Sequence, residues 1–437
     1  MPAVSVIIVS YKVRYYTQQC LNSVFRSLPD AQVFVVDNNS DDGSVEYLRE
    51  RFPQIEVIAN DYNAGFGKAN NMALAKAQGR YVLFLNPDTV VAERTIPGCI
   101  EYMDAHPEVG AVGVRMQYGD GRFALESRRS LPTPSVSFWH MTGLGRLFPR
   151  SKVFAKYHRT YLDKDSECPI DVVSGAYMFV RKEVLDRTGG FDEAFFMYGE
   201  DIDLSYRILQ QGYENRYLPL PIVHYKGEST NKTSYGYAKV FYDAMIIFFN
   251  KHFHRYSRLF ALIVRMVVGF KKIGTYIREN LHARSRRLAD YTENCLYVGR
   301  KETFADVDGL IAGSEVLRKP RYVEGAGDID SALQGRLDSG VDAVLFDTGV
   351  FSYDAILDWM YGRASEGKRY TMGLYSEKTP LSLLRHRQHP LLLPVLHRHK
   401  TPRCHLRHQR LNRRQMRVPH HLRRHKHSLT ANQVVCG

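Results

Sequence analysis

One rhythm constrains this chain more than any other feature. Over its first half, short β-branched runs alternate with helix-length segments, and a polar residue closes the runs. Val4–Val9 reads as a strand and Tyr15–Arg26 as a helix. Gln32–Val36 is a second strand ending in Asp37, Ser44–Arg51 a helix, and Ile55–Ala59 a third strand. Lys68–Ala77 reads as a helix, and Arg80–Leu85 as a strand running into Asn86-Pro87-Asp88. This order predicts an α/β fold with a mainly parallel sheet covered by helices. Such sheets bind ligands at the carboxyl ends of their strands. That singles out Ser10, Tyr11, Asp37, Asn60 to Asn63, and Asn86 to Asp88.

At 437 residues the chain is long enough for two domains and a tail. The alternation restarts late, with strands expected at Cys295–Gly299, Tyr322–Val323, Ala343–Phe346 and Tyr370–Leu374. A small α/β domain is therefore expected over 294–376. It lacks a G-x-G-x-x-G, so no dinucleotide is assigned to it. The net charge of +14 is local. Leu381 to Gly437 holds 13 Lys+Arg and no acid, and Lys251 to Leu288 holds ten against Glu279 alone. The remainder is mildly acidic, which excludes a global electrostatic case for specific nucleic-acid binding. Residues 377–437, rich in His and Arg, read as a disordered or out-of-frame tail.

The chain opens almost directly on a strand, so no signal peptide is expected. The six cysteines form no Cys-x-x-Cys pair, which fits a reducing, cytoplasmic setting. The longest apolar stretch, Leu259 to Phe270, contains Arg265 and is shorter than the roughly 20 residues a spanning helix needs. Residues 239–293 combine aromatic and basic side chains. They read either as an amphipathic helix on an anionic membrane surface or as an ordinary packed helix with a solvated basic face.

Several clusters have the residue types that chemistry needs. Asp88 follows a strongly apolar strand; it reads as a rigid oxygen ligand for Mg²⁺ or Mn²⁺ beside diphosphate oxygens, or as a Pro-Asp turn. Glu200-Asp201-Ile202-Asp203 stands before a helical pattern. It supplies either a general base in a partly apolar pocket or acids that cap a first turn. Asp203 also reads as a capping or supporting residue. Asp37 reads as a ribose or base contact or as an Asx turn. Asn63-Ala64-Gly65-Phe66-Gly67 is a glycine-containing loop opening a helix, suited to phosphate. His224 reads as a metal or diphosphate ligand or as a structural histidine.

In order and spacing, these pieces resemble the family 2 inverting glycosyltransferases of GT-A fold, in the rhamnosyltransferase-like and galactofuranosyltransferase-like branch. The resemblance spans roughly residues 3–235. It rests on Val-Ser-Tyr-Lys at 9–12, Val-Val-Asp-Asn-Asn-Ser at 35–40, Asn-x-Gly-Phe-Gly at 63–67 and Asn-Pro-Asp at 86–88. Ser-Gly-Ala at 174–176, Gly-Gly-Phe-Asp-Glu at 189–193, Tyr-Gly-Glu-Asp-Ile-Asp-Leu at 198–204 and His224 complete it. It implies a GT-A domain over 1–238. It also implies that Asp37, Ser10 and Tyr11 line the nucleotide pocket and that Asn63, with Gly65 in its loop, lies near the sugar diphosphate. Asp88 would be the last acid of the metal motif, with Asn86 where the first acid usually stands, and His224 would complete the divalent-cation site. Asp201 would be the catalytic base, with Glu200 binding the acceptor or orienting the site.

The partners implied are a UDP- or dTDP-linked sugar and a glycan or polyprenyl-pyrophosphate-linked acceptor, met at the cytoplasmic face of a membrane. Neither tryptophan lies in a Gln-x-x-Arg-Trp motif, so transfer of one or a few sugars is expected rather than processive synthesis. Two rivals are a nucleotidyltransferase, which lacks its glycine-rich phosphate loop between Val9 and Arg14, and a non-catalytic nucleotide-sugar or carbohydrate-binding protein.

Overall fold

The computed structural model describes residues 2–225, 235–253, 293–312, 317–337, 340–376 and 379–383, with side chains from 243 in the second range and backbone only in the last. The larger sheet uses β1 (Val4–Ser10), β2 (Gln32–Asp37), β3 (Glu56–Ala59), β4 (Tyr81–Leu85), β5 (Thr89–Val91), β6 (Val109–Gln117), β7 (Cys168–Ile170), β8 (Tyr177–Arg181) and β9 (Glu214–His224). Its order is β3-β2-β1-β4-β8-β6-β9-β5, with β7 paired to β9. β1 runs parallel to β2 and β4, whereas β8 is antiparallel to both β4 and β6.

The helices are α1 (Arg14–Ser27), α2 (Ser44–Arg51), α3 (Phe66–Leu74), α4 (Thr95–Ala105), α5 (Pro134–Thr142), α6 (Leu144–Leu147), α7 (Lys182–Thr188), α8 (Glu200–Gln210) and α9 (Tyr235–His252). β4 and most of β1 are buried throughout because helices cover both faces. One core joins α1 and α4 to the sheet through Cys20, Leu21, Val24, Ile96 and Met103. The other joins α3, α7 and α8 through Ala69, Ala73, Val184, Leu204 and Ile208. Strand order reverses around β1, so its carboxyl end and that of β4 open on one crevice. This is the expected GT-A arrangement.

The second sheet contains β10 (Cys295–Gly299), β11 (Arg321–Glu324), β12 (Ala343–Asp347), β13 (Thr371–Ser376) and β14 (Thr379–Leu383), with α10 (Lys301–Ile311), α11 (Ile329–Leu333) and α12 (Tyr353–Ser365). Its order is β11-β10-β12-β13-β14. β14 corrects the expected boundary at 376: backbone bonds to the open edge of β13 carry the sheet into the segment read as tail. The rest of that tail lies outside the described residues.

Both sheets belong to one compact unit, Met1–Leu393. A shared core brings Val90, Ala92, Val223 and Tyr225 of the larger sheet against Tyr353, Ile356 and Leu357 of α12. Arg94 pairs with Asp354 and Asp358, and Glu93 accepts from the Tyr353 and Asp354 N–H groups at 2.9 and 2.8 Å. The smaller sheet thus supports β5 and β9, which lead out of Asp88 and into His224.

The aromatic basic segment differs from the amphipathic membrane expectation where it is described. Ala244, Met245, Phe248 and Phe249 of α9 are buried against Val172, Phe195 and Ile202. Lys251 and His252 bond to the fully buried Asp203. That face is used for packing, because helix α8 and the residues beside it supply both the apolar surface and the acid. Residues 254–292 lie outside the described ones. Among the described residues no helix is long and apolar enough to cross a membrane.

Candidate active site

The site is assembled by backbone bonds among four loops at the strand ends. Asp37 closes β2 and is buried; Ser40 donates to it from its N–H at 2.9 Å and from its Oγ. Ser40 Oγ in turn accepts from Lys12 N, tying the 37–43 loop to the end of β1. Asn38 is the next link: its amide donates to Gly65 O at 3.1 Å, and its Oδ1 accepts from Asn60 and Ala64. Asn63 is exposed and accepts from Gly65 N. Gly65 has φ +79°, and a Cβ there would stand 2.5 Å from Phe196 O. Only glycine lets this loop meet the 191–199 loop, where Phe66 N donates to Phe196 O at 2.8 Å.

Ser174-Gly175-Ala176 is the hub. Asn86 N donates to Ala176 O at 3.0 Å, and Gly175 N donates to Asp201 Oδ2 at 3.1 Å. A Cβ on Gly175 would press on Asp201 at 3.3 Å. The Asn86–Asp88 turn and the Asp201 carboxylate are thereby held on two adjacent residues, Ala176 and Gly175. On the turn's other side, β5 and β9 place His224 opposite Thr89. His224 Nε2 lies 3.4 Å from Asp88 Oδ1 and 3.3 Å from Asn86 Nδ2.

In the tautomer that lets the Asn86 amide donate, Nε2 offers its lone pair beside Asp88, the form in which imidazole ligates a metal. Both side chains are buried, and His224 Nδ1 has no partner among the described residues. One carboxylate oxygen and one imidazole nitrogen fit a divalent cation that takes its other ligands from diphosphate and water. Among the described residues no group of three or more His, Cys, Asp and Glu side chains gathers for a metal.

Asp201 pairs with Arg129, each side chain 13% exposed. Arg129 stands on the loop after β6 and went unread in the sequence, because its partner lies 72 residues away and no local pattern marks it. Burial opposes its charge, but the charge of Asp201 and the bond to it, together with Tyr157 and Glu126, leave its pKa raised. Glu200 begins α8, is buried, and its Oε2 has no partner among the described residues. Burial first, then the Asp201 charge, pushes its carboxyl from 4.5 to about 8. Adjacent carboxyl groups thus differ, with Asp201 held against a guanidinium and Glu200 kept neutral near pH 7.

Ser10 sits apart from these groups. Its side chain is fully buried and shares a hydrogen bond with Thr17 Oγ1 at 3.0 Å, joining β1 to α1. Tyr11 is half-buried at the end of β1, with Lys12 Nζ 5.3 Å from its ring centre. Asp203 bonds Arg207 Nε at 2.7 Å and anchors α9, a supporting role.

The sequence model of Glycosyl transferase family 2 matches residues 5–189. Over those residues the chain matches this glycosyltransferase family. Within it, the relatives point to the rhamnosyltransferase branch. The N-acetylglucosaminyl-diphospho-decaprenol L-rhamnosyltransferase of Mycobacterium tuberculosis is 28% identical over 228 residues, 49% of this chain and 73% of that protein. The rhamnosyltransferase WbbL of Escherichia coli is 28% identical over 236 residues, 51% of this chain and 83% of that protein. Among solved structures, mannosyltransferase PcManGT from Pyrobaculum calidifontis, in complex with GDP-Man and Mn²⁺, aligns with 62% of this chain and 75% of its own at 18% identity and a TM-score of 0.41.

Proposed function

We propose that this family 2 glycosyltransferase moves a rhamnosyl or closely related sugar from a UDP- or dTDP-linked donor to a hydroxyl of a polyprenyl-pyrophosphate-linked glycan, inverting the anomeric centre. The observation that carries this reading is the hub at 174–176. It holds the Asn86–Asp88 turn and Asp201 on neighbouring residues, Ala176 and Gly175. The relatives' rhamnosyltransferase names and the decaprenol-linked substrate in one of them support the sugar and acceptor class.

Asp201 accepts the proton of the acceptor hydroxyl as that oxygen attacks the anomeric carbon. Arg129 and Gly175 N–H fix the carboxylate, and neutral Glu200 beside it adds no second charge. Asp37, Tyr11 and the 63–67 loop receive the nucleotide and sugar diphosphate. Asp88 and His224 would hold a divalent cation, which when bound offsets charge on the departing nucleoside diphosphate. The buried side chain of Ser10 bonds Thr17 and ties α1 to the end of β1 beside this pocket.

Screening UDP- and dTDP-sugars with the purified chain and a polyprenyl-pyrophosphoryl acceptor tests this. Transfer from one donor, lost in Asp201→Asn while nucleotide still titrates, is the expected result. Near-normal turnover in Asp201→Asn would refute the assignment.

A further inference from the structure

The segment from Leu131 to Leu162 contributes no strand to either sheet. Its helices α5 and α6 meet at Gly143, whose φ of +78° turns the chain. Among the described residues eight large apolar side chains are exposed, and four of them sit here: Leu147 (72%), Val153 (59%), Phe148 (52%) and Phe138 (44%). Ring contacts link Phe138 to Phe148 through Trp139 and Phe154, and Leu147 and Val153 are the chain neighbours of Phe148 and Phe154. Phe138 lies 4.8 Å from Trp139, Trp139 5.0 Å from Phe154, and Phe154 5.6 Å from Phe148. A contiguous exposed apolar patch marks an interaction surface.

The charge around it has one sign. Ser127 to Leu162 contains seven Lys+Arg and no Asp or Glu. Three of the seven turn inward: Arg128 onto the Leu162 and Asp163 carbonyls, Arg129 onto Asp201, and Arg159 onto Asp171. The other four, Arg146, Arg150, Lys152 and Lys156, are exposed, and among the described residues none pairs with a carboxylate. An apolar patch rimmed only by cations complements an anionic lipid surface, which offers hydrocarbon beneath a layer of phosphate.

We propose that the α5–α6 hairpin anchors the enzyme on an anionic bilayer, with Leu147, Phe148, Val153 and Phe138 entering the acyl boundary and the four exposed cations at phosphate level. This replaces α9 as the membrane-facing element, since the described face of α9 is spent on packing. The hairpin is also tied to the reaction centre. Ser130 N donates to Tyr157 O at 2.9 Å, and Arg159 Nε donates to Ser130 Oγ at 2.8 Å. Arg129, one residue before Ser130 in the chain, holds the proton acceptor. Anchoring here sets Asp201 near the lipid surface, where a membrane-bound acceptor would present its sugar; only this last step rests on the acceptor class proposed above.

Trp139 lies within the patch, and the second tryptophan, Trp359, is buried against Phe346 and Tyr370 in the smaller sheet's core. The full chain is mixed with phosphatidylglycerol–phosphatidylcholine vesicles, with and without brominated acyl chains. Binding that survives about 0.5 M salt, at which charge attraction is screened within a few ångströms, and bromine quenching that Trp139→Phe removes are expected. A Leu147→Ser/Phe148→Ser/Val153→Ser variant should lower salt-resistant partitioning by roughly a hundredfold or more, with hydrolysis of soluble donor unchanged. No binding, binding without quenching of Trp139, or equal partitioning of the variant overturns the proposal; capture by an acidic protein instead of vesicles does the same. Donor turnover in the same preparations separates failure of the anchor from failure of the glycosyltransferase reading.

Discussion

Replacing Asp201 tests the chemistry only if its structural cost is separated, and the Arg129–Asp201 pair lets both be measured. Each side chain is 13% exposed, so the pair is largely desolvated. Removing one partner of a buried pair leaves an unbalanced charge and costs ~3–5 kcal/mol. Asp201→Asn leaves the Arg129 guanidinium with a 3.4 Å contact to Val173 O. We expect a loss of about 3 kcal/mol. Arg129→Met leaves Asp201 with the Gly175 N–H at 3.1 Å and should cost a similar amount. The double variant buries no charge, so the two losses should not add; a coupling of about 2 kcal/mol or more is expected. Urea midpoints read at constant m supply these values. Activity separates differently. General-base catalysis contributes about 10²–10⁴-fold, so Asp201→Asn and the double variant should both lose it, while Arg129→Met keeps its base and stays more active. A stable Asp201→Asn, or a double variant that regains turnover, would refute the reasoning.

Glu200→Gln tests the raised carboxyl. Its stabilising effect is fully present below the unfolded value of 4.5 and lost as pH rises through about 8, because the fold binds its proton more tightly than the unfolded chain. The variant should therefore show a flatter loss of urea midpoint between these pH values, and parallel curves would contradict it. Gly65→Ala combines φ +79° with a Cβ 2.5 Å from Phe196 O, whereas Gly212→Ala, at φ +85°, meets nothing within 4 Å. Gly212→Ala should cost about 1 kcal/mol, and Gly65→Ala distinctly more, with a raised KM for donor; equal costs would dismiss the packing role. Glu93→Ala removes both bonds to the start of α12 and should cost ~1–2 kcal/mol by thermal or chemical unfolding. Chelator should suppress transfer, Mn²⁺ or Mg²⁺ should restore it, and His224→Ala should raise the cation concentration needed; full activity in excess EDTA would remove the metal from the account.

The strand ends were readable because an apolar run buried on both faces must stop where a polar residue meets solvent or ligand. Asp37 and Asp88 are such stops. Helix starts were less so. α3 begins at Phe66, ahead of the expected Lys68, because Gly65 turns the chain at positive φ. Ser10 shows the limit of reasoning from strand ends: the position follows from the pattern, but the direction of its hydroxyl is set by Thr17. Arg129 was invisible, since its identity matters only through Asp201. The aromatic stripe of α9 looked able to meet lipid, yet helix α8 and Asp203 claim it through contacts that no local period encodes.

The proposed chemistry is a direct, single displacement in which Asp201 takes the proton. Its sharpest test is the anomeric configuration of the transferred sugar, read by NMR on product made from a donor of known configuration. Clean inversion in the native enzyme and no product from Asp201→Asn are expected. Retained configuration would require a second displacement and would contradict it.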